Sequence, residues 1–266
     1  MKYAVSSWLL LGLLSACTRD TPSEQTTTAT QNVTPKTPAA VSAPADTLAT
    51  FRWESEMCSF TGRYDTRKYT AQQLADTHEL LMGGVLTTNE TVFKPEDIAK
   101  LSLDTLEAEY TKVRARLLAL ELVPEARWQK LKRRKLQSLD NQYRAKKLTM
   151  QAYANPAVLL SAPYPASCKF YIRGLATGND SLIRQTWQQL VREQQRNNSV
   201  PESLQRRFEQ EAAEPNWRQY AQVELLGFGW WNCVNETIDY VEPTERLRGR
   251  YAQLFTTVKS ECEEVD

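Results

Sequence analysis

Between positions 103 and 143 the chain carries two apolar stripes at helical spacing, and these constrain its fold more than any other feature. Leu103, Leu106, Tyr110, Val113, Leu117 and Leu120 recur at intervals of three and four residues. That spacing places them on one face of a helix, which turns once in about 3.6 residues. After a break at Val123-Pro124, Trp128, Leu131, Leu139 and Tyr143 lie near one stripe of a second long helix. Two successive helices with apolar seams and a short break between them predict an antiparallel hairpin.

The rest of the body reads the same way. Pro95, Pro124, Pro156, Pro201, Pro215 and Pro243 stand where helices should begin, because the missing N–H of proline has no intrahelical partner in the first turn. Glu96, Asp97, Glu125, Glu202 and Glu245 follow four of them closely, and negative charge favours a helix N-terminus. Thr70 with Gln73 forms a capping-box pattern, and Asp180 or Ser181 suits another cap. Further stripes are Ile183, Trp187 and Leu190; Leu204 and Phe208; Trp217, Tyr220 and Val223; and Leu247, Tyr251, Leu254 and Val258. The last stripe predicts a helix from Pro243 to Cys262. Only nine glycines are present, too few for a turn-dense β-protein. Extended pieces are expected only near 51–64 and 85–93. The fold class is mostly α, an irregular multi-helix bundle built on a long antiparallel helical hairpin and stapled by disulfides.

The N-terminus follows a different plan. Lys2 is the only charge in the first sixteen residues, and an apolar run from Trp8 to Leu14 leads through small residues to Cys17. This is the layout of a signal peptide, and the run is too short to span a bilayer, which takes about 20 apolar residues. Leu14-Ser15-Ala16-Cys17 resembles the lipobox of bacterial lipoproteins, over this segment alone. The resemblance implies a diacylglycerol on the Cys17 thiol and cleavage just before Cys17. Thr18, rather than aspartate, follows the cysteine, which in that family leans toward the outer membrane. Residues 17–50 are then a lipidated cysteine and a tether rich in Thr, Ala, Pro and Ser, with too little apolar surface to fold. Asp46-Thr47-Leu48 resembles the acceptor motif of some bacterial O-glycosylation systems, but three residues are a weak signal and a solvated linker is the preferred reading. Residues 51–266 form a single helical domain. The expected location is a bacterial cell envelope, lipid-anchored.

Charge and residue counts exclude several functions. The formal net charge is +1, and loss of Lys2 with the leader brings it to zero, which argues against nucleic-acid binding by bulk electrostatics. A single histidine, His78, rules out sites that need two, and its place on the apolar side of a helix predicts a structural role. No phosphate-cradling glycine loop, dinucleotide fingerprint, EF-hand loop or Gly-x-Ser-x-Gly elbow is present, so no cofactor or metal is expected. Cys58, Cys168, Cys233 and Cys262 remain once Cys17 is lipidated, and four cysteines in an exported chain predict two disulfides. A helix running to Cys262 would carry it far from Cys233, which favours pairing Cys58 with Cys233 and Cys168 with Cys262.

Two segments stand out as candidate sites. Trp230, Trp231, Asn232 and Asn235 combine aromatic faces with amides, a pairing that suits sugar rings. Lys130, Arg133, Arg134 and Lys147 belong to the most basic helix, which could contact anionic lipid heads or an acidic partner. Glu54, Glu56 and Asp65 near Cys58, with Glu236, Asp239 and Glu242, would share a pocket if Cys58 met Cys233. The expected role is non-enzymatic, structural or protein-binding in the envelope. The alternatives are a module for glycan or envelope lipid, and a hydrolase.

Overall fold

The computed structural model describes residues 47–262 apart from 55–57, 84, 88–91, 93 and 198–200. The leader, Cys17 and almost all of the tether fall outside the described residues. Helices dominate, as the apolar spacing requires. The predicted hairpin consists of α2 (Leu103–Ala119) and α3 (Ala126–Ala154). It is antiparallel: Tyr110 stacks on Tyr143 at 4.0 Å between ring centroids, and Lys147 Nζ lies 3.6 Å from Glu107. Leu106 and Leu117 are buried on its seam, whereas Leu103 is exposed at its end.

The helix starts follow the capping chemistry. Thr70 and Gln73 form the predicted capping box on α1 (Ala71–Met82). Pro95 and Pro156 open the 3-10 helices Pro95–Lys100 and Pro156–Leu159, while Pro124 lies just ahead of the α3 cap. Next come α4 (Ala166–Phe170), α5 (Arg173–Thr177) and α6 (Asp180–Asn197). Asn179, one residue before the predicted cap, accepts the Leu182 N–H at 3.0 Å. Pro201 opens α7 (Pro201–Ala213), and α8 (Trp217–Glu224) runs without a break through a π-helical segment, Leu225–Trp231, into α9 (Asn232–Asn235).

A three-stranded antiparallel sheet accompanies the helices, two of its strands in the region near 51–64 where extended chain was expected and the third where a helix was expected. It contains β1 (Leu48–Glu54), β2 (Cys58–Asp65) and β3 (Thr257–Cys262), in the order β1-β2-β3. Strand β1 starts at Leu48, three residues before the extended piece expected from Phe51. Phe51, Phe60 and Tyr64 point into the core while Arg52, Glu54 and Arg63 point out, the alternation of a half-buried sheet. No strand forms among the described residues of 85–93. The predicted final helix is corrected most. Helix α10 (Glu245–Ala252) stops early, Leu254 and Phe255 bury themselves in a turn, and β3 follows. Thr256, Thr257 and Val258 are β-branched and favour a strand, and the Thr256 N–H reaches Arg63 O at 2.7 Å to start the pairing. Gly62 admits the turn, since a Cβ there would lie 2.4 Å from the Phe255 ring.

Residues 46–266 form one compact unit with three apolar clusters. The first joins the sheet, α1, α10 and the first half of α3. The second joins the last part of α3 to α4, the π-helical segment and α9, and the third packs α6 against α7 and α8. His78 lies in the first cluster, with ring centroids of Trp53, Tyr251 and Phe60 at 4.4, 5.4 and 5.6 Å. Neither ring nitrogen has a hydrogen-bond partner, and burial pushes its pKa down to about 4. His78 is a core residue, as its position on the helix predicts.

The disulfide pairing differs from the favoured one. Cys168 bonds to Cys233 with Cα atoms 5.5 Å apart. Cys58 is disulfide-bonded as well, and the residue opposite it in the sheet register is Cys262. The error came from the supposed helix to Cys262: as a strand, that segment returns to β2 instead of leading away.

Two sets of outcomes are expected, the first for the disulfides. Non-reducing peptide mapping should yield Cys168–Cys233 and Cys58–Cys262 linked peptides; a Cys58–Cys233 peptide would contradict this fold. Replacing Cys168 and Cys233 by serine opens a loop of 65 residues and should lower stability by about 4 kcal/mol in denaturant titration. The second set concerns His78. Between pH 6.5 and about 4 the unfolded chain binds a proton that the folded chain does not, so stability falls as pH falls. The loss from pH 7 to pH 5 should be about 2 kcal/mol, and it should vanish in His78→Leu.

Candidate functional site

The continuous helix from Trp217 to Asn235 builds the most distinctive site. In its π-helical segment the wider turn resets which residues face each side. Trp230 and Trp231 are directed into the core. Trp230 is fully buried, its Nε1–H donates to Thr149 Oγ1 at 3.1 Å, and its ring meets Tyr164 edge-on at 5.3 Å. Trp231 is buried beneath the Lys146 ammonium, 5.7 Å from the ring centroid. Trp230 therefore offers no surface to a sugar, and Trp231 offers little. Asn235 is held by the Tyr240 hydroxyl, which donates to its Oδ1. Of the four residues predicted together, Asn232 is the most exposed and also lines the cavity described next.

The opposite face of the same helix lines a cavity of about 700 Å³. Phe228, Gly229, Asn232, Cys233 and Glu236 form this wall, following the four-residue helical spacing. Across from them stand Tyr171, which follows α4, with Glu193 and Gln194 of α6 and Arg207 of α7. Leu190 and Leu204 supply apolar floor. Gly229 is required here, because a Cβ would lie 2.8 Å from the Tyr171 ring. Tyr171 thus rests on helix backbone, and its hydroxyl donates to Glu193 Oε2 at 2.9 Å. Burial, the bond to Glu193 and the nearby carboxylates push the Tyr171 pKa up to about 12, so the phenol remains a hydrogen-bond donor at neutral pH.

Arg207 organises the far wall. Its guanidinium binds Glu224 Oε1 and lies 3.8 Å from Glu211 Oε1. Glu224 is 4 % exposed, and burial raises its pKa against the opposing pull of Arg207. Gln194 also donates to the Glu224 carboxylate, while Glu224 Oε2 has no hydrogen-bond partner. These contacts join α6, α7 and α8, and no spacing within one segment announces them. The legible signal was the i, i+4, i+8 series Phe228, Asn232, Glu236 beside the conspicuous tryptophans.

The basic helix is arranged differently from a ligand stripe. Lys130, Arg133 and Arg134 are exposed along one side of α3, and Arg134 pairs with Asp239 at 3.3 Å. Lys147 lies over three turns away, where it donates to Tyr143 Oη at 3.0 Å and faces Glu107. Neighbouring lysines turn inward. Lys135 Nζ donates to Leu81 O and Gly83 O at 3.2 and 2.6 Å, and Lys132 Nζ to Leu118 O and Leu120 O at 2.8 and 3.0 Å. Glu54 pairs with Arg52 and Asp65 with Arg67, and neither lines the cavity with Glu236; Glu56 lies outside the described residues. Among the described residues no cluster of His, Cys, Asp or Glu is arranged to hold a metal ion, and no helix is long and apolar enough to cross a membrane. No known protein family, curated protein or solved structure matches the chain.

Lys135→Met separates the two uses of the basic helix. It leaves two buried carbonyls without their charged donor and should cost about 2 kcal/mol in urea titration. Lys130→Met, on the exposed side, should change stability by less than about 0.5 kcal/mol.

Proposed function

We propose that the chain is a lipoprotein of a bacterial envelope whose helical body binds a small polar ligand. The lipobox-like Leu14-Ser15-Ala16-Cys17 supports the anchor, and the composition of residues 18–46 suits a tether. Bonded cysteines suit an oxidising compartment outside the cytoplasm. The binding role rests on one observation, the cavity of about 700 Å³ beside the π-helical segment. Its size falls within the range of small-ligand sites, about 300–1,000 Å³. Its lining mixes apolar surface from Phe228, Leu190 and Leu204 with hydrogen-bonding groups of Asn232, Gln194 and Arg207. That mixture suits a ring with one apolar face and polar substituents, the chemistry of envelope glycan fragments. A purely structural or protein-docking part has no need of such a lined space, so ligand binding is the preferred reading.

Two measurements test it. The wild-type protein should sediment with membranes and carry a diacylglycerol on the peptide that begins at Cys17, while Cys17→Ser should be released; a membrane-bound Cys17→Ser would remove the anchor. Cell-wall saccharide fragments at about 100 times their Kd should raise Tm by about 5 °C or more. Leu204→Trp, which fills the cavity, should abolish that rise while remaining folded. A panel that leaves the wild-type Tm unchanged would remove the binding role.

A further inference from the structure

We infer that a second cavity, between the middle of α3, the start of α4 and the end of α9, is a site for a compact organic oxyanion, a carboxylate or phosphate carried on a small apolar body. It shares no lining residue with the larger cavity. Its volume is about 330 Å³, at the small end of the range for ligand sites, about 300–1,000 Å³. Asn141 and Arg144 of α3 form one wall, the turn that carries Tyr164 a second, and Thr237 with Ile238 a third. Asn141 and Arg144 are three residues apart and so share a helix face. Cys168–Cys233 ties α4 to α9 and thereby holds the second and third walls together. Tyr164 stands between two prolines, which restrict its backbone, and its ring meets Trp230 edge-on at 5.3 Å.

The lining holds donors that the fold leaves unused. Among the described residues, the Arg144 guanidinium, the Asn141 side-chain amide and the Tyr164 hydroxyl have no hydrogen-bond or ion-pair partner. The carboxylates close to Arg144 in sequence or across the cavity are spent elsewhere. Asp140, one turn back on α3, accepts from Tyr110 Oη at 2.8 Å and Arg114 Nε at 3.2 Å. Asp239, just past Ile238, pairs with Arg134 at 3.3 Å, and Glu236 lines the larger cavity. No acidic residue is among those that line this one. Burial raises the Tyr164 pKa, so the phenol keeps its proton at neutral pH, and Arg144 is the charge that acts on it. An oxyanion answers these features together. A guanidinium binds carboxylate or phosphate through two parallel N–H···O bonds, the phenol and the amide each supply one more donor, and Pro163, Pro165 and Ile238 give apolar surface to the ligand body. An ammonium ligand would meet like charge with no carboxylate in the lining to receive it.

Titration calorimetry on the detergent-extracted full-length protein tests this with benzoate, phenyl phosphate and benzylamine near pH 7, where the first two are anions and the third a cation. Saturable binding is expected for benzoate or phenyl phosphate, and the tighter of the two tells a carboxylate site from a phosphate site. Arg144→Gln should weaken it by about tenfold or more, and Tyr164→Phe several-fold. Arg144→Lys keeps the charge but loses the fork of donors, and should fall between wild type and Arg144→Gln. Arg144 is exposed and unpaired, so its variants should keep the wild-type melting curve. Arg133→Gln, exposed on the same helix, should leave binding unchanged. Leu204→Trp, which fills the larger cavity, should also leave it unchanged, so the two sites stand or fall separately. Benzylamine binding as tightly as the anions, binding indifferent to Arg144→Gln, or binding lost in Leu204→Trp overturns the inference. Absence of binding by both anions overturns it as well, whatever the saccharide thermal shifts show for the larger cavity.

Discussion

Lysine ammonium groups on α3 hold the C-terminal carbonyls of two other helices, and the packing of the sheet-side cluster depends on them. A helix end leaves its last four carbonyls without intrahelical donors. The usual remedy is a left-handed residue after the last turn. Neither α1 nor α2 uses it: Gly83 has φ −102° and Leu120 has φ −58°. Lys135 instead donates to the end of α1, and Lys132 to the end of α2. Burial pushes the Lys135 pKa down to about 8, yet the negative end of the helix dipole favours a cation at that place. Two lysines of the most basic stretch of the chain are thus consumed by the protein's own backbone.

Fixing α1 and α2 to the first half of α3 leaves its second half to position the site. Thr149 of α3 takes the Trp230 indole, and Lys146 covers Trp231. These contacts set the rotation of the π-helical segment. Its other face is thereby turned toward α6 and α7, and Cys168–Cys233 ties it to α4. The cavity exists because one helix is anchored on its tryptophan side and left unfilled on its Phe228–Asn232–Glu236 side. Gly229 completes the arrangement by letting Tyr171 lie against the backbone.

Legibility in the sequence tracked the range of the interaction. The α2–α3 seam, the Thr70–Gln73 capping box and the prolines at helix starts are local, and each stood in the residues. Strand β3 was missed because Leu247, Tyr251, Leu254 and Val258 satisfy a helical period, and only pairing with β2 from nearly two hundred residues earlier decides the matter. That same error carried over into the cysteine pairing. In the site, the unusual composition around Trp230 marked the right segment and the wrong face. Bulk and rarity drew notice to the tryptophans, which are large enough to belong in a core. Asn232 and Glu236 are ordinary residues, and their role follows only from which side the π-helical turn exposes. Glu193, Arg207 and Glu224 come from three helices, so no spacing joins them before folding.

The charge pattern at Arg207 carries the functional argument beyond shape. One guanidinium faces two carboxylates, Glu224 and Glu211, whose pKa values are raised chiefly by burial. A purely structural contact gains little from such an arrangement, since apolar residues of similar size often stabilise a fold as well as a buried ion pair does. Retaining it at a cavity wall has a different physical effect: Arg207 is held in place and its charge neutralised before any ligand arrives. Glu193 and Glu236 line the same cavity with Tyr171, whose hydroxyl is already committed to Glu193. A ligand then meets a wall whose one guanidinium among the described residues is already held in place by the protein's own carboxylates.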